Sequence, residues 1–161
     1  MSTLKVGTIQ DHANSNTAIS IDSSGRVTLP QRIAFVGKKT DTNQLEASSS
    51  NVSFNVTDLA HASWNGTTFT APVAGLYRIF FNGHRQGSGT APLELGIIKN
   101  GSMIESAYTL GVSGSRPRAS VEALLVLAVN DAITFKITQG NVFAAGDTTS
   151  SGLMCSGYLI G

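Results

Sequence analysis

The sequence predicts an all-β protein built as a sandwich or a barrel, and three observations carry that reading. Apolar residues recur at every second position in several short runs, the period of a strand with one wet face. Turn-forming residues separate the runs at short intervals: Asn65-Gly66, Asn100-Gly101, Asn130-Asp131 and the Gly146–Gly152 stretch. Charged residues make up only 13% of the 161, well under the roughly 25% of an ordinary soluble domain. Ser, Thr, Asn and Gly fill the gap, a mix poor in helix formers.

Residues 1–30 hold short β-like runs, LKVGTI, TAISI and RVTL, separated by the turn-rich DHANSN and DSSG. None is long enough to build a core, so the segment is expected to be ordered only by pairing with something else. Pro30 closes this zone. RIAFVGKK, Arg32 to Lys39, reads as a strand, and residues 40–50 read as a polar loop. NVSFNVT alternates, with Val52, Phe54 and Val56 on one face.

FTAPVAGLYRIFFN then breaks the chain and restarts it. Pro72 cannot donate to a ladder and biases Ala71 towards an extended backbone, while Gly75 tolerates angles that other residues avoid. The pair predicts a sharp corner between two strands. The strand after it, Gly75 to Asn82, places Tyr77, Ile79 and Phe81 together. PLELGIIK aligns Leu93, Leu95 and Ile97, and Asn100-Gly101 suits a type I′ hairpin turn. AITFKIT alternates cleanly, Ile133, Phe135 and Ile137 against Thr134, Lys136 and Thr138. SVEALLVLAV and LMCSGYLI are apolar on both faces. Each reads as a strand covered by the core on one side and by another subunit on the other. The expected subunit core is Tyr77, Phe81, Leu125, Leu127, Tyr158 and Ile160.

The Phe69–Phe81 stretch, with Phe, five residues, Gly75, one residue, Tyr77 and alternating large residues, resembles the signature of the complement C-one-q globular-head family. That family is a branch of the tumour-necrosis-factor-like jelly rolls. Lys99-Asn100-Gly101, the Leu127–Ile133 step and the closing Ser156–Ile160 run agree in order and spacing. Ile79 stands where the family prefers Phe, and Asn130 replaces its usual Gly. The resemblance spans residues 31–161 and implies a jelly-roll β-sandwich that forms homotrimers. Residues 1–30 resemble the start of tail-fibre and other virion structural proteins of marine bacteriophages, which implies a β-structured anchor contacting other virion proteins.

Several function classes are disfavoured. Net charge is +1 with no basic patch, so nucleic acid is not an expected partner. The longest apolar run, Ala123 to Val129, is far short of a membrane span, so no membrane insertion is expected. The start MSTLKVGTIQ lacks a signal-peptide core, which predicts synthesis in the cytoplasm without Sec export. Cys155 is the only cysteine, set in an apolar run, and reads as a buried, inert thiol.

His12, His61 and His84 are scattered, and the serines flanked by glycine do not form a nucleophile elbow. The ten acidic residues show no close pair of glycosidase type, and Asp131 with Asp147 makes no dense oxygen-ligand loop. No catalytic residue, cofactor or metal is therefore expected.

His84, Arg85, Tyr108, Arg116 and Arg118, in or beside loops, are the candidate recognition residues, since Arg and aromatics anchor binding surfaces. Their structural alternative is cross-strand pairing of Arg78 and Arg85 with Glu94 or Glu105. The expectation is a trimeric virion knob, on a tail fibre or the capsid surface, that binds a host glycan or outer-membrane protein. Alternatives are a capsid decoration protein without a receptor, a bacterial lectin-like module, and an enzyme.

Overall fold

The computed structural model describes residues 6–13, 15–29, 31–40, 45–46, 51–61, 63–85, 90–114, 117–139, 142–143 and 152–161. Among them there are fourteen strands and no helix. The chain divides into two compact units, Met1–Ile33 and Ala34–Gly161.

The first unit is a three-stranded antiparallel meander of β1 (Thr8–Gln10), β2 (Thr17–Ile21) and β3 (Val27–Thr28). The two turn-rich stretches are its turns. In the second, the Asp22 carboxylate accepts from the Ser24 and Arg26 amides and from Arg26 Nε at 2.7 Å. Those bonds hold its pKa below the ordinary carboxylate value, and Gly25 supplies the positive φ of 77° that closes the turn.

The second unit is a sandwich of two antiparallel sheets. Its strands are β4 (Ala34–Lys39), β6 (Val56–Ala60), β7 (Thr68–Thr70), β8 (Gly75–His84), β9 (Leu93–Lys99), β10 (Ser102–Thr109), β11 (Arg118–Leu127), β12 (Ala132–Gln139) and β14 (Leu153–Leu159). One sheet runs β10-β9-β12-β7, the other β11-β8-β14-β4-β6. The pairing is nested: β4 with β14, β7 with β12, β8 with β11, and β9 with β10. That is one long hairpin rolled around a barrel axis, the topology of a jelly roll. A separate two-strand ladder joins β5 (Leu45–Glu46), within the 40–50 stretch that the sequence suggests is loop, to β13 (Val142–Phe143).

The Pro72–Gly75 corner does what its residues predict, carrying the chain from β7 in one sheet to β8 in the other. Tyr77 Oη donates to the Val73 carbonyl at 2.8 Å and ties the corner to the strand that follows. Asn100 and Gly101 have φ of 49° and 84°, as the predicted type I′ turn requires.

Asn130, where the related pattern has Gly, also sits at positive φ, 70°, a conformation Asn tolerates better than other side chains. The two turns lock together. Asp131 accepts from Asn100 Nδ2 at 2.7 Å and from the Ala128 amide at 2.8 Å, and it pairs with Lys99 Nζ at 2.8 Å. Lys99 and these hydrogen bonds bring its pKa down to about 2.

The core lies between the sheets. Phe35 stacks on Trp64 at 4.6 Å and on Phe69 at 4.8 Å, while Phe135 meets Phe81 at 5.1 Å and Phe54 at 5.8 Å. Two glycines make room. A Cβ on Gly37 would lie 2.9 Å from Trp64 Cζ2, and one on Gly157 would lie 2.5 Å from Phe35 Cε1.

Two sequence expectations need correction. Val52 and Phe54 are buried as predicted, but only Val56 and Thr57 of that run belong to a strand. Val52 and Phe54 are held by single amide bonds to Phe135 and Gly66. Ser102–Thr109, not anticipated as a strand, is the edge strand β10.

Candidate functional site

The outward face of the five-stranded sheet differs from the rest of the surface. On β8, Tyr77, Ile79 and Phe81 point inward and are fully buried, so Leu76, Arg78, Phe80, Asn82 and His84 point outward. Register extends the face sideways: Val126 lies opposite Leu76, Leu124 opposite Arg78, and Glu122 opposite Phe80. On the other flank Tyr158 pairs with Arg78, Ser156 with Phe80, and Met154 with Asn82. The face has two ends of different character.

At the Gly75 end it is apolar. Leu124 is 61% and Val126 76% exposed in the single chain, and Ile160 and Leu76 adjoin them. Large aliphatic side chains at that exposure, grouped on a regular strand face, mark an interaction surface. In mid-face, Arg78 makes a bidentate pair with Glu122, Nε to Oε1 at 2.8 Å and Nη2 to Oε2 at 2.6 Å. It also reaches Tyr158 Oη at 3.4 Å. The pair raises the pKa of Arg78 and lowers that of Glu122. A hollow of about 150 Å³ beside it is lined by Arg78, Phe80, Ser156 and Tyr158.

At the far end the face turns polar. Asn82, His84, Arg118 and Ser120 line a second hollow of about 140 Å³. His84 and Arg118 are direct cross-strand partners. Arg85 follows at once, donating its amide to the Pro117 carbonyl and Nη1 to the Ala91 carbonyl. Thr109 Oγ1 donates to the Arg118 carbonyl at 2.8 Å, which brings the end of β10 beside β11, but Tyr108 pairs with Glu94 and is exposed on the outward face of the other sheet. Three residues singled out from sequence, His84, Arg85 and Arg118, thus lie together at one end of the roll, with His84 only 8% exposed, and Tyr108 does not join them. The fifth, Arg116, lies outside the described residues.

His84, Tyr108 and Arg118 stand at or next to strand ends, beside loops. The suggested pairings with Glu94 and Glu105 also change. Arg78 pairs with Glu122, and Glu94 instead accepts from Ser106 Oγ and Thr138 Oγ1.

The candidate subunit core also needs correction. Tyr77, Phe81 and Leu127 are fully buried inside the single sandwich, whereas Leu125, on the same inward face as Tyr77, is only half-buried. Side chains already covered within one chain have no surface left for another. Tyr158 and Ile160 do lie on the outward face. The residues that sequence reasoning passed over are their neighbours in alternation, Leu76, Phe80, Leu124 and Val126. Once Tyr77, Ile79 and Phe81 are placed inside, period two assigns the rest of the face.

The sheet order, the nested pairing and the length of the roll together admit a comparison with solved structures. The fold is the tumour-necrosis-factor-like jelly roll. The globular domain of the zebrafish complement 1qA protein superposes with a TM-score of 0.62 at 18% identity, covering 81% of this chain and 98% of that one. Eiger TNF from S. frugiperda gives 0.61 at 10% identity, covering 80% and 93%. Murine APRIL gives 0.59 at 10%, covering 80% and 99%. No family model and no curated protein matches the chain.

Other candidate chemistry is accounted for locally. Cys155 is buried, and desolvation pushes its pKa up, the opposite of an activated thiolate. His61 Nδ1 is paired with Ser63 Oγ at 2.7 Å, and Asp58 pairs with Lys38. Asp131 is occupied by Lys99 and Asn100, and Asp147 lies outside the described residues. Among the described residues no group of three or more His, Cys, Asp or Glu side chains is placed to hold a metal ion.

Proposed function

We propose that the chain is a homotrimeric jelly-roll knob that acts by binding, carried on a virion through its N-terminal meander. The observation that carries the trimer is the outward apolar face of the five-stranded sheet, centred on Leu124 and Val126. A sheet needs one covered face for its own core. The second apolar face has no use in a single chain, and three copies sharing it around an axis would remove it from water.

The proposed receptor-contact region is the polar rim of Arg85 and Arg118, with His84, 8% exposed, as the cross-strand neighbour of Arg118 and Tyr108 on the adjacent edge strand β10; its donors and its aromatic suit a glycan or outer-membrane protein at the host surface. Three such rims per knob, and several knobs per particle, give avidity from individually weak contacts. The virion assignment is supported by the resemblance of residues 1–30 to bacteriophage tail-fibre and virion structural proteins.

Antibody labelling of intact particles in the electron microscope tests it. Label on the tail or its fibres is the expected result. Label spread over the head would make the protein a capsid decoration and remove the receptor role, and particles without label would remove the virion assignment.

A further inference from the structure

The three-stranded N-terminal meander is amphipathic to a degree its size does not require. Ile9 pairs with Ile19 and Ile21 with Val27, so these four side chains share one face. Thr8 pairs with Ser20 and Ser20 with Thr28, so these three share the other, where Ser20 Oγ and Thr28 Oγ1 lie 2.6 Å apart. The apolar face is uncovered in the single chain: Ile9 is 49%, Ile21 39% and Val27 63% exposed. A sheet with strands of three, five and two residues and one open apolar face is not stable by itself in water. Something covers that face.

We infer that the occupant is the same face of two other copies of this chain, so that three meanders close into a common apolar core. This rests on the trimer proposed above. Two features favour copies over an unrelated protein. The face carries no charge, since Asp11, His12, Asp22 and Arg26 all belong to the turns. It therefore offers a foreign partner no complementary ion pair but fits an identical uncharged face without repulsion. A trimeric roll also ties three meanders into one particle, where their mutual effective concentration is on the order of millimolar. Four side chains from each of three chains make a core of twelve, while the Thr8, Ser20 and Thr28 faces stay in water.

The test uses the full chain with Ile19→Cys and, separately, Ser20→Cys, since Cys155 is buried and out of reach. The mass of each is measured by light scattering, then a monofunctional maleimide is added and the rate of thiol modification is followed. The expected result is a trimer in which Ile19→Cys is modified at least ten-fold more slowly than Ser20→Cys. A trimer in which the two are modified equally fast overturns this inference and leaves the trimeric roll standing. A monomer overturns both.

Should Ile19→Cys disturb the meander, hydrogen exchange on the unsubstituted chain decides. Ile19 and Ile21 amides should be protected in the trimer and lose that protection on dilution to monomer. Unprotected amides in a trimeric sample overturn the inference.

Discussion

The sharpest consequence of the outward apolar face is what its removal would do. Leu124→Ser with Val126→Ser replaces two side chains that are 61% and 76% exposed in the single chain. Full burial of such a side chain is worth about 1.5–3 kcal/mol, so covering the exposed fraction contributes about 1–2 kcal/mol each. With two sites in each of three chains, the trimer loses roughly 6–12 kcal/mol. The midpoint concentration for dissociation into three monomers follows the square root of the dissociation constant, so it should rise roughly 10²- to 10⁴-fold.

The single roll should be nearly unaffected, because neither side chain contributes to the inward core. Sedimentation velocity across a dilution series reads the effect, with circular dichroism confirming the retained β structure. Val129→Ser, 54% exposed but in a turn, serves as the control and should change nothing. A double variant with the wild-type midpoint would refute the assignment of this face as the subunit interface.

Three further outcomes follow from the core and the turns. Gly157→Ala drives a Cβ to 2.5 Å from Phe35 Cε1 and 2.8 Å from Ile79 Cδ1, and Phe35 cannot retreat because it is stacked on Trp64 and Phe69. Thermal melting at fixed protein concentration should show a loss of about 1–3 kcal/mol, and an unchanged melt would contradict the packing. Asn130→Ala should cost about 1–2 kcal/mol at its positive φ while Asn130→Gly is tolerated, so equal urea midpoints for the two would exclude backbone strain as the cause. Asp131 has a folded pKa of about 2 against an ordinary value near 3.8. Its contribution is complete above pH 4 and is lost as pH falls towards 2, so Asp131→Asn should flatten that part of the urea-midpoint profile.

Much of the roll was legible because its strands obey one rule. Ile133, Phe135 and Ile137 are all fully buried, and their alternation with Thr134, Lys136 and Thr138 showed which face was wet. β10 was not legible for the opposite reason. It is an edge strand whose Met103, Ile104 and Tyr108 are exposed, so burial imposed no period on it. Val52 and Phe54 alternate because both fill the core, yet they have single hydrogen bonds where a strand would have a ladder. Pattern reports burial there, not pairing. The interface residues failed in a more instructive way. On a strand apolar on both sides, alternation says that Leu125 and Leu127 share one face and Leu124 and Val126 the other. It carries no sign of which is inside. Only the register of β11 against β8, where Leu125 lies opposite Tyr77, breaks that tie.

The same register explains how a charged pair can stand in the middle of the face proposed to join subunits. An isolated Arg78 there would oppose any association, because burying an unpaired cation is costly. Glu122, two residues before Leu124, meets it with two parallel hydrogen bonds, and Tyr158 adds a third contact. The charge is thus neutralised within the chain before a second subunit arrives, and association need not strand it. Removing one partner should therefore be worse than removing both. Glu122→Gln, which leaves Arg78 without its counter-ion, should weaken the trimer more than the double change Arg78→Met with Glu122→Leu, measured by the same dilution series. Acid should act in the same direction. The Arg78 hydrogen bonds hold the Glu122 pKa below its ordinary value, so the pair persists to lower pH than an unpaired carboxylate would and is lost as pH falls through that lowered value. If the double variant proved the weaker trimer, the pair would be a source of affinity in its own right, and the apolar end of the face would not be enough to hold three chains together.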